Sequence, residues 1–216
     1  MSSAKFPRIL FLLAIPLAIF LLPTLSNLLI DYWWFQEVGY ESVFTTSLLT
    51  KLTLFVVVAA VAALVLAGNL WFAQRGAIPE PVLVRIGEAV QTVDLTGVLR
   101  RFSKPVVIVL TLMIALGATA MWETVLLYLN RASFGTTDPI FARDIGWYVF
   151  SLPALSALLG IVRSLLTLSL VLLIPVYFFR GDVVLLPRGL RIESTAGRHL
   201  GVLLALWLVL TAVSLW

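Results

Sequence analysis

The sequence predicts an all-α membrane protein: a polytopic bundle of about five transmembrane spans with short interfacial helices, forming one helical membrane domain over residues 1–216. Three observations carry this. Hydrophobic residues make up 61% of the 216 and charged residues only 12%, against about 25% charged in soluble domains. Apolar runs of roughly 18 residues or more recur, each long enough to cross a ~30 Å hydrocarbon layer. Between the runs, aromatic and charged residues gather in segments such as WETVLLYLNRASFGTTDPIFARDIGWYVFSLP at 122–153.

The first predicted span covers 9–30, preceded by Lys5 and Arg8. A basic start before an apolar run also suits a signal peptide. The run persists too long for one, and no small-residue cleavage site follows it, so a retained helix is expected. Pro16 and Pro23 predict kinks, because each removes a backbone donor and crowds the preceding turn. The segment 31–47 then reads as an outer connector. Trp33, Trp34 and Tyr40 in it suit headgroup depth, and Asp31, Glu37 and Glu41 suit a solvated turn or a cation-attracting mouth.

The second span is expected at 48–72, with Lys51 snorkelling at its end. The small residues of Ala59–Gly68 would let a neighbouring helix approach. The long connector 73–104 places Val82, Ile86, Ala89, Val90 and Val93 at helical spacing. This predicts one or two amphipathic helices on the membrane surface, with Arg100, Arg101 and Lys104 facing lipid phosphates.

A third span is expected at 105–129, with Pro105 at its first turn. Asp138 before Pro139 reads as the cap of a short interfacial helix running to about Asp144, which Gly146 ends. Trp122, Trp147 and Tyr148 complete the interfacial belt. The fourth span is expected at 152–179. After it, VVLLPRGLRIE predicts a short hairpin turning at Pro187-Arg188-Gly189. The fifth span, 200–216, is of minimal length and ends without a polar flank, as though cut short.

Net charge is +4 and the isoelectric point ≈ 9.8. In a chain this apolar, basic residues flanking spans explain that balance, and nucleic acid is not an expected partner. Assigning the N-terminus, 73–104 and 180–199 to one side gathers 11 of the 15 Lys and Arg there, leaving Lys51, Arg131, Arg143 and Arg163 on the other. The bias places the N-terminus in the cytoplasm. The absence of cysteine excludes disulfides and thiolate ligation within these residues. A single histidine excludes a cluster of imidazole ligands.

FQEVGYESVFTTSLLTKL at 35–52, the block at 122–153 and RHLGVLLALWLVLTAV at 198–213 together resemble uncharacterised protein family 0182, a bacterial multi-pass membrane family. The resemblance covers the chain in order. It implies an N-terminal membrane domain with further helices, followed by a large extracytoplasmic portion. It implies no activity, cofactor or catalytic residue.

Two constellations invite chemistry. Glu123 and Arg163, the charges placed well inside spans, fall at similar estimated depth and are expected to pair. An intramembrane pair serves either helix association or conduction. His199 reads as an interfacial residue bound to headgroups, or as a ligand to a tetrapyrrole. No set of nucleophile, base and orienting group assembles, and no metal or cofactor is expected. The expected function is a non-enzymatic structural or assembly subunit in the bacterial inner membrane, with membrane lipids and other membrane subunits or its own copies as partners. A transporter or channel element is the competing reading.

Overall fold

The computed structural model describes residues 5–75, 82–86, 89–93, 95–187 and 189–214. Among them the order is α1 (Lys5–Glu37), α2 (Glu41–Ala73), β1 (Val82–Ile86), β2 (Ala89–Val93), α3 (Leu95–Thr119), α4 (Trp122–Leu129), α5 (Leu152–Phe179), β3 (Val183–Leu186), β4 (Gly189–Ile192) and α6 (Ser194–Ser214). A π-helical turn, Trp147–Ser151, leads directly into α5. The predicted all-α class holds. Four helical stretches are long and apolar enough to cross a membrane: Glu41–Ala73, Arg101–Thr119, Trp147–Phe179 and Ser194–Ser214. The span expected at 9–30 falls within α1.

The chain forms two compact units, Met1–Leu49 and Thr50–Trp216. In the first, the connector expected at 31–47 is far shorter. Helix α1 continues to Glu37, and α2 begins at Glu41. Gly39 takes φ +75°, so its N–H reaches the carbonyl of Gln36 while the N–H of Tyr40 reaches that of Phe35. This is a Schellman closure. The aromatic residues there pack as helix faces, with Phe44 against Tyr32 at 5.7 Å and Phe35 at 5.8 Å between ring centroids.

In the second unit the core joins α2, α3, α5 and α6 through Leu66, Leu70, Val107, Leu173, Val176 and Leu203. Val58, Ala62, Leu66, Leu70 and Ala73 bury one stripe of α2 at spacings of three and four, the pattern of a helix that packs on one side. Close approach occurs at Ala62, Ala115 and Ala118, all buried. The neighbouring Gly68 and Gly117 face open space.

Two predicted connectors and one predicted span are corrected. The amphipathic helices expected from Val82 are an antiparallel hairpin, with Val82 opposite Val93 and Ile86 opposite Ala89. The run VLVRI-GE-AVQTV is rich in β-branched residues, and a Gly-first dipeptide suits a two-residue reversal. The helix that carries the third span starts ten residues earlier than the span was expected to, at Leu95, with Pro105 inside it. It stops at Thr119 and restarts at Trp122. The interfacial helix expected at 138–144 is a non-helical turn closed by a bridge between Thr137 and Asp144. Asp138 does cap it, accepting from the N–H of Phe141 at 2.8 Å, but Ala142 takes φ +51°, which a helix cannot accommodate. The hairpin expected at 183–192 is present, with Leu186 opposite Gly189.

Candidate functional site

Polar side chains inside apolar helices are costly unless they satisfy one another, and in the second unit four of them do. The Asn69 amide on α2 donates to Ser169 Oγ on α5 at 3.2 Å. Its carbonyl oxygen lies 3.0 Å from His199 Nε2 on α6. The Tyr177 hydroxyl on α5 lies 2.8 Å from His199 Nδ1. Asn69 Oδ1 only accepts, so Nε2 carries the proton that faces it, and in the neutral ring Nδ1 accepts from the Tyr177 hydroxyl. Ser169 and Tyr177 are fully buried, and the Phe72 ring stands edge-on to the imidazole at 4.7 Å. The chain of bonds ties three helices over about two turns of α5.

The same end of the unit carries a second set of ties. Arg180 follows α5 directly and donates to the carbonyl oxygen of Ala73, the last residue of α2. It also pairs with Asp182 at 3.3 Å. Gln74 donates to Ser103 on α3 at 3.2 Å. A Schellman closure at Gly181, φ +77°, turns the chain so that Asp182 comes back beside Arg180. Burial raises the Asp182 pKa above the ordinary value, and the neighbouring Glu193 carboxyl adds to the rise, while Arg180 opposes it.

At the other end, Asp144 organises the loop 130–146. Its carboxylate accepts from Ser133 Oγ at 2.5 Å, from the N–H groups of Phe134 and Gly135 at 3.2 and 3.0 Å, and from that of Gly146 at 2.7 Å. These donors hold its pKa below the ordinary value, Ser133 foremost. Asp138 is likewise lowered, chiefly by the Phe141 N–H, and it accepts from Tyr148 Oη at 3.1 Å. A Cβ on Gly146 would sit 2.5 Å from the carbonyl oxygen of Ala132, so the loop closes only around glycine.

The expected Glu123–Arg163 pair does not form. Among the described residues the one ion pair is Arg180–Asp182. Glu123 belongs to the separate helix α4, exposed in its first turn, whereas the matching depth assumed one continuous helix over 105–129. Arg163 instead donates to Ser214 Oγ at 3.4 Å. His199 is also corrected: both ring nitrogens are engaged between helices, leaving none for a headgroup or tetrapyrrole.

Trp33, Trp34 and Tyr40 are exposed. Trp122 lies under the Lys51 ammonium at 4.9 Å. Trp147 stands edge-on to Tyr148 and lies under Arg143 at 4.3 Å. Arg101 and Lys104 are exposed on α3, and the Arg100 side chain lies outside the described residues. Sequence reasoning missed Asn69, Ser169 and Tyr177, because each alone is an unremarkable polar group in an apolar run.

Four apolar span-length helices locked by inter-helix polar bonds define a polytopic helical membrane protein. The chain belongs to the family described as "Uncharacterised protein family (UPF0182)", whose profile matches residues 8–216. It is similar to a UPF0182 protein of Cupriavidus necator, 37% identical over 211 residues, covering 94% of this chain and 23% of that protein. A Geobacter sulfurreducens member is 31% identical over 205 residues, covering 91% and 23%. One from Rhodococcus opacus is 34% identical over 224 residues, covering 100% and 22%. The chain thus spans under a quarter of the length of these relatives. No solved structure matches.

Proposed function

We propose that this chain is a structural or assembly unit of a larger membrane complex in the bacterial inner membrane, without catalytic activity of its own. One observation carries the reading: the side chains of Asn69, Ser169, Tyr177 and His199 between helices are engaged with one another, while the span flanks stay apolar and outward. Only 11% of the most apolar window of α2, and of α6, is buried within the chain. Lipid tails give helices no hydrophobic drive to associate, so partners must be held by shape and small residues. The exposed flanks of α2 and α6 supply that surface.

The test is purification from native membranes in gentle detergent, followed by crosslinking and native mass spectrometry. The expected result is a stable complex with other membrane subunits or with further copies, crosslinked helix to helix through α2 or α6. A monomer that carries ions or solutes across liposomes would replace this reading with transport.

A further inference from the structure

Arg163 sits inside an apolar helix with no acidic partner among the described residues. Its one recorded side-chain bond is the long contact to Ser214. A permanent cation in that setting calls for a counter-charge. The side chain opens into a groove of about 340 Å³ lined by Met113 and Ile114 of α3 and by Arg163, Ser164, Thr167 and Leu168 of α5. Thr167 is already occupied, donating to the carbonyl oxygen of Arg163 at 2.9 Å and accepting from Trp207 Nε1 at 2.9 Å. Ser164 has no recorded partner and is exposed beside the guanidinium. The groove therefore offers a fork of guanidinium donors, one free hydroxyl and apolar walls.

Depth identifies what such a groove meets. At ~1.5 Å per residue, Arg163 lies about 26 Å along α5 from Arg180, and Lys51 about 33 Å along α2 from Ala73. Arg180 and Ala73 are joined at one polar end. With that polar end set at one interface, a ~30 Å hydrocarbon layer reaches about as far as Arg163 and Lys51, and α5 continues past that level towards Trp147. Ser214 is recorded beside it, and Lys51 stacks on Trp122 at a comparable distance from that end.

We propose that the groove between α3 and α5 binds a phospholipid, with the headgroup phosphate on Arg163 and Ser164 and an acyl chain along Met113, Ile114 and Leu168. Guanidinium and phosphate match in geometry and charge, and at headgroup depth a lipid phosphate is the anion in abundance. The site is independent of whether the chain is a scaffold or a transporter.

The experiment is native mass spectrometry of the full chain with graded dioleoyl-phosphatidylglycerol, with dioleoylglycerol and inorganic phosphate as separate arms. The wild type should retain one phosphatidylglycerol above the non-specific background and neither of the other probes. Arg163→Gln should weaken retention roughly tenfold, and Arg163→Lys less, since Lys offers a point charge without the fork. Ser164→Ala removes one exposed hydroxyl without disturbing packing, and it should weaken retention about two- to fivefold, on the scale of one hydrogen bond. Equal retention by the wild type, Arg163→Gln and Ser164→Ala overturns the site. Retention of dioleoylglycerol as strong as that of phosphatidylglycerol overturns it too, because the phosphate would then contribute nothing. Binding of inorganic phosphate alone overturns the lipid assignment, and so does a crosslink placing another helix's carboxylate on Arg163.

Discussion

At the residue scale, the His199 network makes separable predictions. Tyr177→Phe removes one donor and leaves Nδ1 of a part-buried imidazole unsatisfied, which should cost about 1 kcal/mol. His199→Ala strands both the Tyr177 hydroxyl and the Asn69 carbonyl, and should cost about 2–3 kcal/mol. In the double variant the tyrosine change should cost almost nothing further. Unfolding in mixed micelles measures all three, and strict additivity would show that the hydroxyl and the imidazole do not interact. Glu123→Gln with Arg163→Gln should give the reverse result, simple additivity, because those side chains do not pair. The carboxylates of the 130–146 loop add a dependence on pH. Asp138 and Asp144 both titrate below the ordinary 3.8, so the folded loop binds fewer protons than the unfolded chain there. Their contribution is present above the ordinary value and is lost as pH falls through the lower folded values. Asp182 carries the opposite sign: its raised pKa means that the fold loses stability as pH rises from the ordinary value through the folded one. Hydrogen–deuterium exchange should therefore show the amides of Phe134, Gly135 and Gly146 losing protection on acidification below about pH 4, and Asp144→Asn should remove most of that dependence.

At the element scale, glycine positions show what the local sequence determines. Gly39 closes the α1–α2 turn at positive φ, and Gly39→Ala should cost about 1–2 kcal/mol through backbone strain alone. Gly146→Ala acts differently, through collision with the Ala132 carbonyl, and should cost about 1–3 kcal/mol. Thermal unfolding compares the two, and an unchanged midpoint in either would contradict its stated cause. These elements also show what was legible beforehand. Apolar run length located the cores of the spans, because a helix that crosses lipid must be apolar along its length. It could not locate their ends. Residues 31–47 are polar enough to read as a connector, yet the turn itself needs only Val38, Gly39 and Tyr40. The hairpin at 82–93 was misread because Val82, Ile86, Ala89 and Val90 also fit a period near four once Leu83 and Val84 are passed over. The β-branched content and Gly87-Glu88 were the overlooked signal. The break at Ala120-Met121 falls between Gly117-Ala118-Thr119 and Trp122-Glu123 with no proline to mark it. Nor could the polar layer be read, since His199 and Asn69 stand 130 positions apart and only the packing of α2, α5 and α6 joins them.

At the scale of the whole molecule, orientation is the property on which depth, lipid contact and partner access all depend. The ties between helices say which segments share a side, and the charge bias predicts which side that is. The tie from Arg180 to Ala73 and the bond from Gln74 to Ser103 gather the ends of α2 and α5 and the start of α3 at one end of the second unit. The connectors 73–104 and 180–199 that flank that end hold 9 of the 15 basic residues, while the rest of the second unit holds Lys51, Arg131, Arg143 and Arg163. Cytoplasmic segments retain such an excess because Lys and Arg resist translocation. The end with Ala73, Arg180 and His199 is therefore expected in the cytoplasm, and the loop around Gly135 outside. A reporter fused after Gly76 or Gly189 should read cytoplasmic, and one inserted near Gly135 should read extracytoplasmic. The first two sites test the structure as well as the charge rule: Gly76 and Gly189 must agree with each other whichever way the protein inserts. Opposite readings at those two positions would break the α2–α5 tie. Matching readings with Gly135 on the cytoplasmic side would leave the bundle intact and reverse its direction.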